Sequence, residues 1–114
     1  MKRGDVYWAD LAPRSGSEQR GRRPVVIISN DALNAPGWRS IIVVPLSTSV
    51  SQAARGPSAV LFTRGTAGLN KDCVALCHQV TTLDRSKLTQ RIGALHLLDL
   101  RLVENGLKVA MDLP

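Results

Sequence analysis

Cysteine is scarce in this chain, which holds two in 114 residues. Cys73 and Cys77 stand four apart in a run expected to form a strand, where equal-facing side chains lie too far apart to bond. A disulfide framework is therefore excluded, and buried reduced thiols are expected. Cys73, Cys77, His78 and His96 also miss the paired spacing of a zinc site, so neither metal nor cofactor is expected. No stretch is apolar for long enough to span a bilayer, and Asp5 and Asp10 interrupt any run that could act as a signal peptide. The expectation is a cytoplasmic protein away from the membrane. Repeats, linkers and low-complexity tracts are missing too, so residues 1–114 read as one domain. Acidic side chains are outnumbered, 9 against 15 Lys and Arg, and the net charge of +6 will draw an anionic partner, of which nucleic acid is the commonest.

Hydrophobic residues make up 44% of the chain, enough for one core. Periodicity predicts strands at Asp5–Leu11, Pro24–Ser29, Ile41–Leu46, Ser58–Phe62, Asp72 to about Val80, and Arg91–Leu95. The second and third are continuous Val/Ile runs, which implies cover on both faces. Asp84 is placed to cap a short helical turn reaching Leu88. Leu97–Leu113 has helical period, with Arg101, Glu104, Asn105, Lys108 and Asp112 on one narrow polar stripe. The rest of that helix is nearly all apolar, which implies burial against the barrel and a partner subunit. Short strands closed by one terminal helix point to a mostly β, α+β fold, a small barrel of the SH3-like or OB kind.

The loop from Ala12 to Arg22 is long for a hairpin, and loops of that length are often functional. Arg14, Arg20, Arg22 and Arg23 concentrate cationic forks suited to phosphate oxygens, and Gly16 and Gly21 permit close backbone approach. Ser17, Glu18 and Gln19 offer hydrogen bonds that can read base edges. A solvated, solubilising loop would have the same composition, so these residues alone leave both readings open. Trp38, in the loop before the third strand, is expected to stack on bases, and Trp8 to lie in the core. His78 and Gln79 are expected at the open end of a strand, hydrogen-bonding to neighbours or to bases.

The segments RGDVYWADL and GSEQ-x-G-x-RPVVIISND resemble two signature stretches of the MazF/PemK/Kid toxin family, and VVPLSTS resembles a third. GLNKDCVALCHQVTTLDRSKLTQRIGAL followed by a helix is similar to the family's C-terminal half, so the resemblance runs the length of the chain. It implies an SH3-like barrel of the MazF/Kid/CcdB type that forms a homodimer. It also implies metal-independent, sequence-specific cleavage of single-stranded RNA, and neutralisation by the C-terminal segment of an acidic, MazE-like antitoxin. The catalytic arginine of the family corresponds to Arg23. Its usual threonine partner corresponds to Ser47, with Thr48 as the alternative hydroxyl next in the chain. The arginine and aspartate of plasmid-borne relatives fall on Leu76 and His78, so that second scheme is not carried over. Rival expectations on the same barrel are an RNA-binding domain without cleavage and a CcdB-like poison of DNA gyrase.

Overall fold

In the computed structural model, which describes residues 1–11, 16 and 21–114, the elements run in the order β1 (Asp5–Asp10), β2 (Arg22–Ile27), α1 (Asp31–Asn34), β3 (Ser40–Ser47), β4 (Ala59–Phe62), β5 (Cys73–Leu76), β6 (Thr81–Asp84), β7 (Leu88–Ala94) and α2 (Leu97–Met111). Every strand pairing is antiparallel. The sheet follows the path β4-β5-β3-β2-β1-β7, and β6 joins it on β3.

The long strand β3 organises this topology by giving its two halves to different neighbours. Ser40–Val43 pair with Asp84–Thr81, while Leu46 and Ser47 pair with Ala75 and Val74. The other edge of β3 takes β2, with Val25, Val26 and Ile27 opposite Pro45, Val44 and Val43. Alternation along a strand then sends successive side chains to opposite faces. Val26, Val44 and Leu46 join the main core, and Val25, Ile27, Ile41 and Val43 join a second cluster on the other face. Cover on both faces, expected from the continuous Val/Ile runs, is what the structure has. Each such side chain taken fully from water contributes roughly 1.5–3 kcal/mol.

Beyond shifts of one or two residues at element ends, three differences from the local reading bear on the site. Strand β2 starts at Arg22 and stops at Ile27, because Arg22 and Arg23 sit opposite Asp10 and Ala9 in the ladder. Beyond it Asn30 caps α1, its side chain accepting from the Ala32 amide at 2.8 Å. The expected continuous strand from Asp72 to Val80 is broken by a 3₁₀ turn at Cys77–Gln79. There the Cys77 amide donates to the Ser58 carbonyl at 3.0 Å and the Val80 amide to the Cys77 carbonyl at 3.2 Å. Strand β7 begins at Leu88, ahead of the expected Arg91, and pairs with β1 along most of its length. Asp84 caps a short turn as expected, accepting from the Ser86 amide at 3.0 Å.

Helix α2 closes the main core with Leu100, Val103 and Leu107. Its approach depends on Gly106, where a Cβ would come within 2.7 Å of the Cys77 sulfur. Cys73 and Cys77 are both buried and unbridged. Burial pushes the Cys77 thiol up to about 11. The opposite face of α2 carries Leu98, Leu102 and Val109, with Leu98 75% exposed. Among the described residues no helix is long and apolar enough to cross a membrane.

Candidate functional site

Because β2 lies between β1 and β3, the Arg-Arg-Pro entry of β2 is brought beside Trp8 on one side and the end of β3 on the other. The result is an open pocket of about 270 Å³ whose lining includes Trp8, Arg22, Arg23, Pro24, Thr48, Asn70 and Lys71. Trp8 stands opposite Pro24, so Arg22, two residues earlier, is its diagonal neighbour on the same face. The Arg22 guanidinium accordingly lies over the Trp8 ring, 4.3 Å from its centroid. A cation–π contact of that kind holds a flexible side chain in one orientation.

The two candidate hydroxyls have separate environments. Ser47 is the last residue of β3 and is 4% exposed. Its oxygen accepts from the Ser49 amide and from the Gln52 side chain, both at 3.1 Å, so it is engaged in holding the turn that follows. Thr48, one step beyond the strand, is exposed and lines the pocket with Arg23.

A second wall comes from the segment between β4 and β5, which contributes Gly68, Leu69, Asn70 and Lys71. It folds into a compact turn, with the Gly65 amide donating to the Leu69 carbonyl at 2.8 Å and the Leu69 amide to the Thr66 carbonyl at 2.9 Å. Asp72 ties the turn off by accepting from the Arg64 amide at 2.7 Å. Gly68 has φ +79, and a Cβ there would meet the Ile92 carbonyl at 2.8 Å, so the turn is pressed onto β7. The described lining therefore contains three cations, Arg22, Arg23 and Lys71, and no carboxylate. Such a site favours a phosphodiester over a neutral or cationic ligand.

Other expected site residues fall elsewhere. Trp38 is exposed and borders a different depression, with Gly37, Arg39, Asp84, Arg85 and Ser86. That loop is clamped by Arg85, whose guanidinium donates to the carbonyls of Trp38, Asn34 and Ala35 at 2.9, 2.8 and 2.9 Å. Hydrogen bonds from the Ser86 hydroxyl and amide, with the charge of Arg39, hold the Asp84 carboxyl below the ordinary range. His78 and Gln79 occupy the 3₁₀ turn after β5, outside the pocket lining, with Gln79 Nε2 3.5 Å from His78 Nε2. Partial burial, and then the charge of Arg55, pushes the His78 imidazole down. Arg14, Ser17, Glu18, Gln19 and Arg20 lie outside the described residues, but the ends of their segment meet where the Leu11 amide donates to the Gly21 carbonyl at 2.9 Å.

Trp8, Asn70 and Lys71 are the polar-tipped lining residues that sequence reasoning did not place at the site. Trp8 is half-buried at the pocket, not enclosed in the core. Its proximity to a run of arginines across a hairpin was the available signal. Lys71 had only its place in a Gly-Leu-Asn turn. Among the described residues, no three of His, Cys, Asp and Glu gather where a metal ion could be held.

Comparison with known proteins matches residues 2–111 to the family described as PemK-like, MazF-like toxin of type II toxin-antitoxin system. The endoribonuclease MazF of Staphylococcus saprophyticus is 38% identical over 113 residues, covering 99% of this chain and 92% of that protein. The crystal structure of MazF from Deinococcus radiodurans superposes with a TM-score of 0.79 at 23% identity, covering 99% of this chain and 97% of that one. An endoribonuclease from a mycobacterial species, solved in complex with its cognate antitoxin, gives a TM-score of 0.74 at 24% identity, covering 100% and 95%.

Proposed function

Because the chain belongs to the PemK-like, MazF-like family of type II toxins, we propose that the pocket between β2, β3 and the β4–β5 turn is where it cleaves single-stranded RNA. The protein is the toxin of a type II toxin–antitoxin system and an endoribonuclease. The observation that carries the site assignment is the meeting of Arg23, on β2, and Thr48, just past the end of β3, in one cation-lined pocket.

Cleavage without a metal proceeds by attack of the ribose 2′-oxygen on the adjacent phosphorus, leaving a 2′,3′-cyclic phosphate and a 5′-hydroxyl end. Charge grows on the non-bridging oxygens as the fifth bond forms. The Arg23 fork binds those oxygens and stabilises them most where the charge is greatest. Thr48 orients the same phosphate through its hydroxyl, and Ser47 holds the turn on which Thr48 stands. Arg22, fixed against Trp8, takes a neighbouring phosphate or the face of a base. Arg14, Ser17, Glu18, Gln19 and Arg20, on the segment that leads into β2, contribute contacts to phosphates and base edges. Trp38, His78 and Gln79 belong to the outer reach of the RNA. Reading base edges requires unstacked bases, so a duplex is protected.

The whole chain, residues 1–114, acts as one toxin domain in the cytoplasm and as a homodimer. A cation-lined groove that accepts RNA also accepts an acidic peptide, so the C-terminal segment of a cognate antitoxin blocks it by competition. The test is to incubate purified protein with a long single-stranded RNA in EDTA and map the ends. Discrete cuts with 5′-hydroxyl ends are expected, and Arg23→Ala slows them roughly 10²–10³-fold. Intact RNA, or an Arg23→Ala protein cutting at the normal rate, overturns the reading.

A further inference from the structure

The departing 5′-oxygen needs a proton, and neither Arg23 nor Thr48 is suited to supply it. A guanidinium keeps its proton at any ordinary pH, and an aliphatic hydroxyl is a poor acid. The described lining of the pocket contains no histidine and no carboxylic acid. Arg22 is excluded on the same ground as Arg23, and the indole and amide N–H groups of Trp8 and Asn70 are not acids, which leaves Lys71 and Cys73 among the described lining. Cys73 is 2% exposed and turns its sulfur to the Lys71 carbonyl at 3.5 Å, so a substrate oxygen has no path to it.

We propose that Lys71 is the general acid of the cleavage, donating a proton from its ammonium group to the 5′-oxygen as the bond from phosphorus to that oxygen breaks. This rests on the pocket being the RNA-cleaving site. The geometry supports it in three respects. Lys71 lines the same pocket as Arg23 and Thr48, but comes from a different segment, the one between β4 and β5. Among the described residues its ammonium takes part in no ion pair, and one oxygen of the adjacent Asp72 accepts from the Arg64 amide. It also stands on a turn fixed by internal hydrogen bonds and pressed onto β7 at Gly68, so its backbone is held in place while three rotatable donors stay available. A lysine ammonium is ordinarily a stronger acid than a guanidinium by roughly two units or more, and a positioned acid contributes about 10²–10⁴-fold.

The step balances without any co-reactant other than water. The 2′-hydroxyl gives its proton to a solvent water, and its oxygen forms the new bond to phosphorus. The bond from phosphorus to the 5′-oxygen breaks with its electron pair passing to that oxygen, which takes the Lys71 proton and leaves as a hydroxyl. The neutral amine then recovers a proton from water.

A substrate with sulfur in place of the bridging 5′-oxygen tests this, because a thiolate leaves without being protonated. A short single-stranded RNA containing a mapped cut site is made in both forms and given to wild type, Lys71→Met, Lys71→Arg and Arg23→Ala. Lys71→Met should cut the oxygen substrate roughly 10²–10⁴-fold more slowly. At saturating RNA it should cut the sulfur substrate at close to the wild-type rate. Lys71→Arg keeps the charge and should stay slow on the oxygen form alone, whereas Arg23→Ala should be slow on both. A Lys71→Met protein equally impaired on both forms, or full activity in either Lys71 variant on the oxygen form, overturns the proposal. If Arg23→Ala is slow on both forms and only the Lys71 pattern fails, the site assignment survives; if Arg23→Ala cuts both forms at the wild-type rate, the site assignment itself is wrong.

Discussion

Ser47 and Thr48 are adjacent hydroxyls with different surroundings, because the β3 ladder ends between them. The buried Ser47 oxygen is the partner of the Ser49 amide and the Gln52 side chain, and removing it leaves those donors short of an acceptor. Ser47→Ala should therefore lower the unfolding free energy by about 1–3 kcal/mol in a denaturant titration. Thr48→Val keeps the shape and loses the hydroxyl, so it should leave stability unchanged and slow RNA cleavage roughly 10²-fold. The opposite pattern, a stability loss at 48 with a purely kinetic loss at 47, would move the substrate-facing role to Ser47. Resemblance brings the eye to position 47, but which hydroxyl reaches the pocket depends on where pairing with Val74 stops, and that is set by a strand distant in sequence. Arg23 was legible from its motif alone. Lys71 was not, because its place in one pocket with Arg23 arises only when β5 pairs with β3.

The turn that carries Lys71 is held mainly by its contact with β7. Gly93 allows that contact, since a Cβ there would fall 2.2 Å from the Ala67 carbonyl, closer than any packed atom can come. Gly93→Ala must push the turn and the strand apart. It should cost about 1–3 kcal/mol in unfolding free energy and lower the cleavage rate as well, by moving one wall of the pocket. A variant with native stability and rate would show that the turn is not anchored there. Most strands were legible from apolar runs, and both errors in the middle of the chain have one origin. Local pattern ends the loop at Arg22 and starts the strand at Pro24, but pairing with Asp10 and Ala9 draws Arg22 and Arg23 into β2. Likewise Asp72 to about Val80 reads as a single strand led by its apolar Cys73–Cys77 run, yet β5 and β6 serve opposite halves of β3 and the chain must turn between them. Non-local partners decided both cases, and periodicity does not see them.

Charge and apolar surface divide the molecule between its two kinds of partner. The pocket with Arg22, Arg23 and Lys71 attracts polyanions, whereas α2 displays Leu98, Leu102 and Val109 on the face turned from the core. Those three recur at helical spacing, so they form one stripe and not isolated exposed residues. The polar stripe of Arg101, Glu104, Lys108 and Asp112 runs alongside, and Glu104 is tied to Arg3 at 2.7 Å. A second copy of the chain is the occupant expected for the apolar stripe, given the homodimer proposed above. Burying one leucine contributes roughly 1.5–3 kcal/mol, so replacing Leu98 and Leu102 by Gln should weaken association at least about 100-fold. Light scattering behind a sizing column should then find monomer at micromolar concentration where wild type is dimeric, with the far-UV spectrum unchanged because neither side chain reaches the core. A double variant that remains dimeric would place the contact on another surface. Leu61 and Val50, exposed beside β4 and the turn after β3, would be the next residues to change.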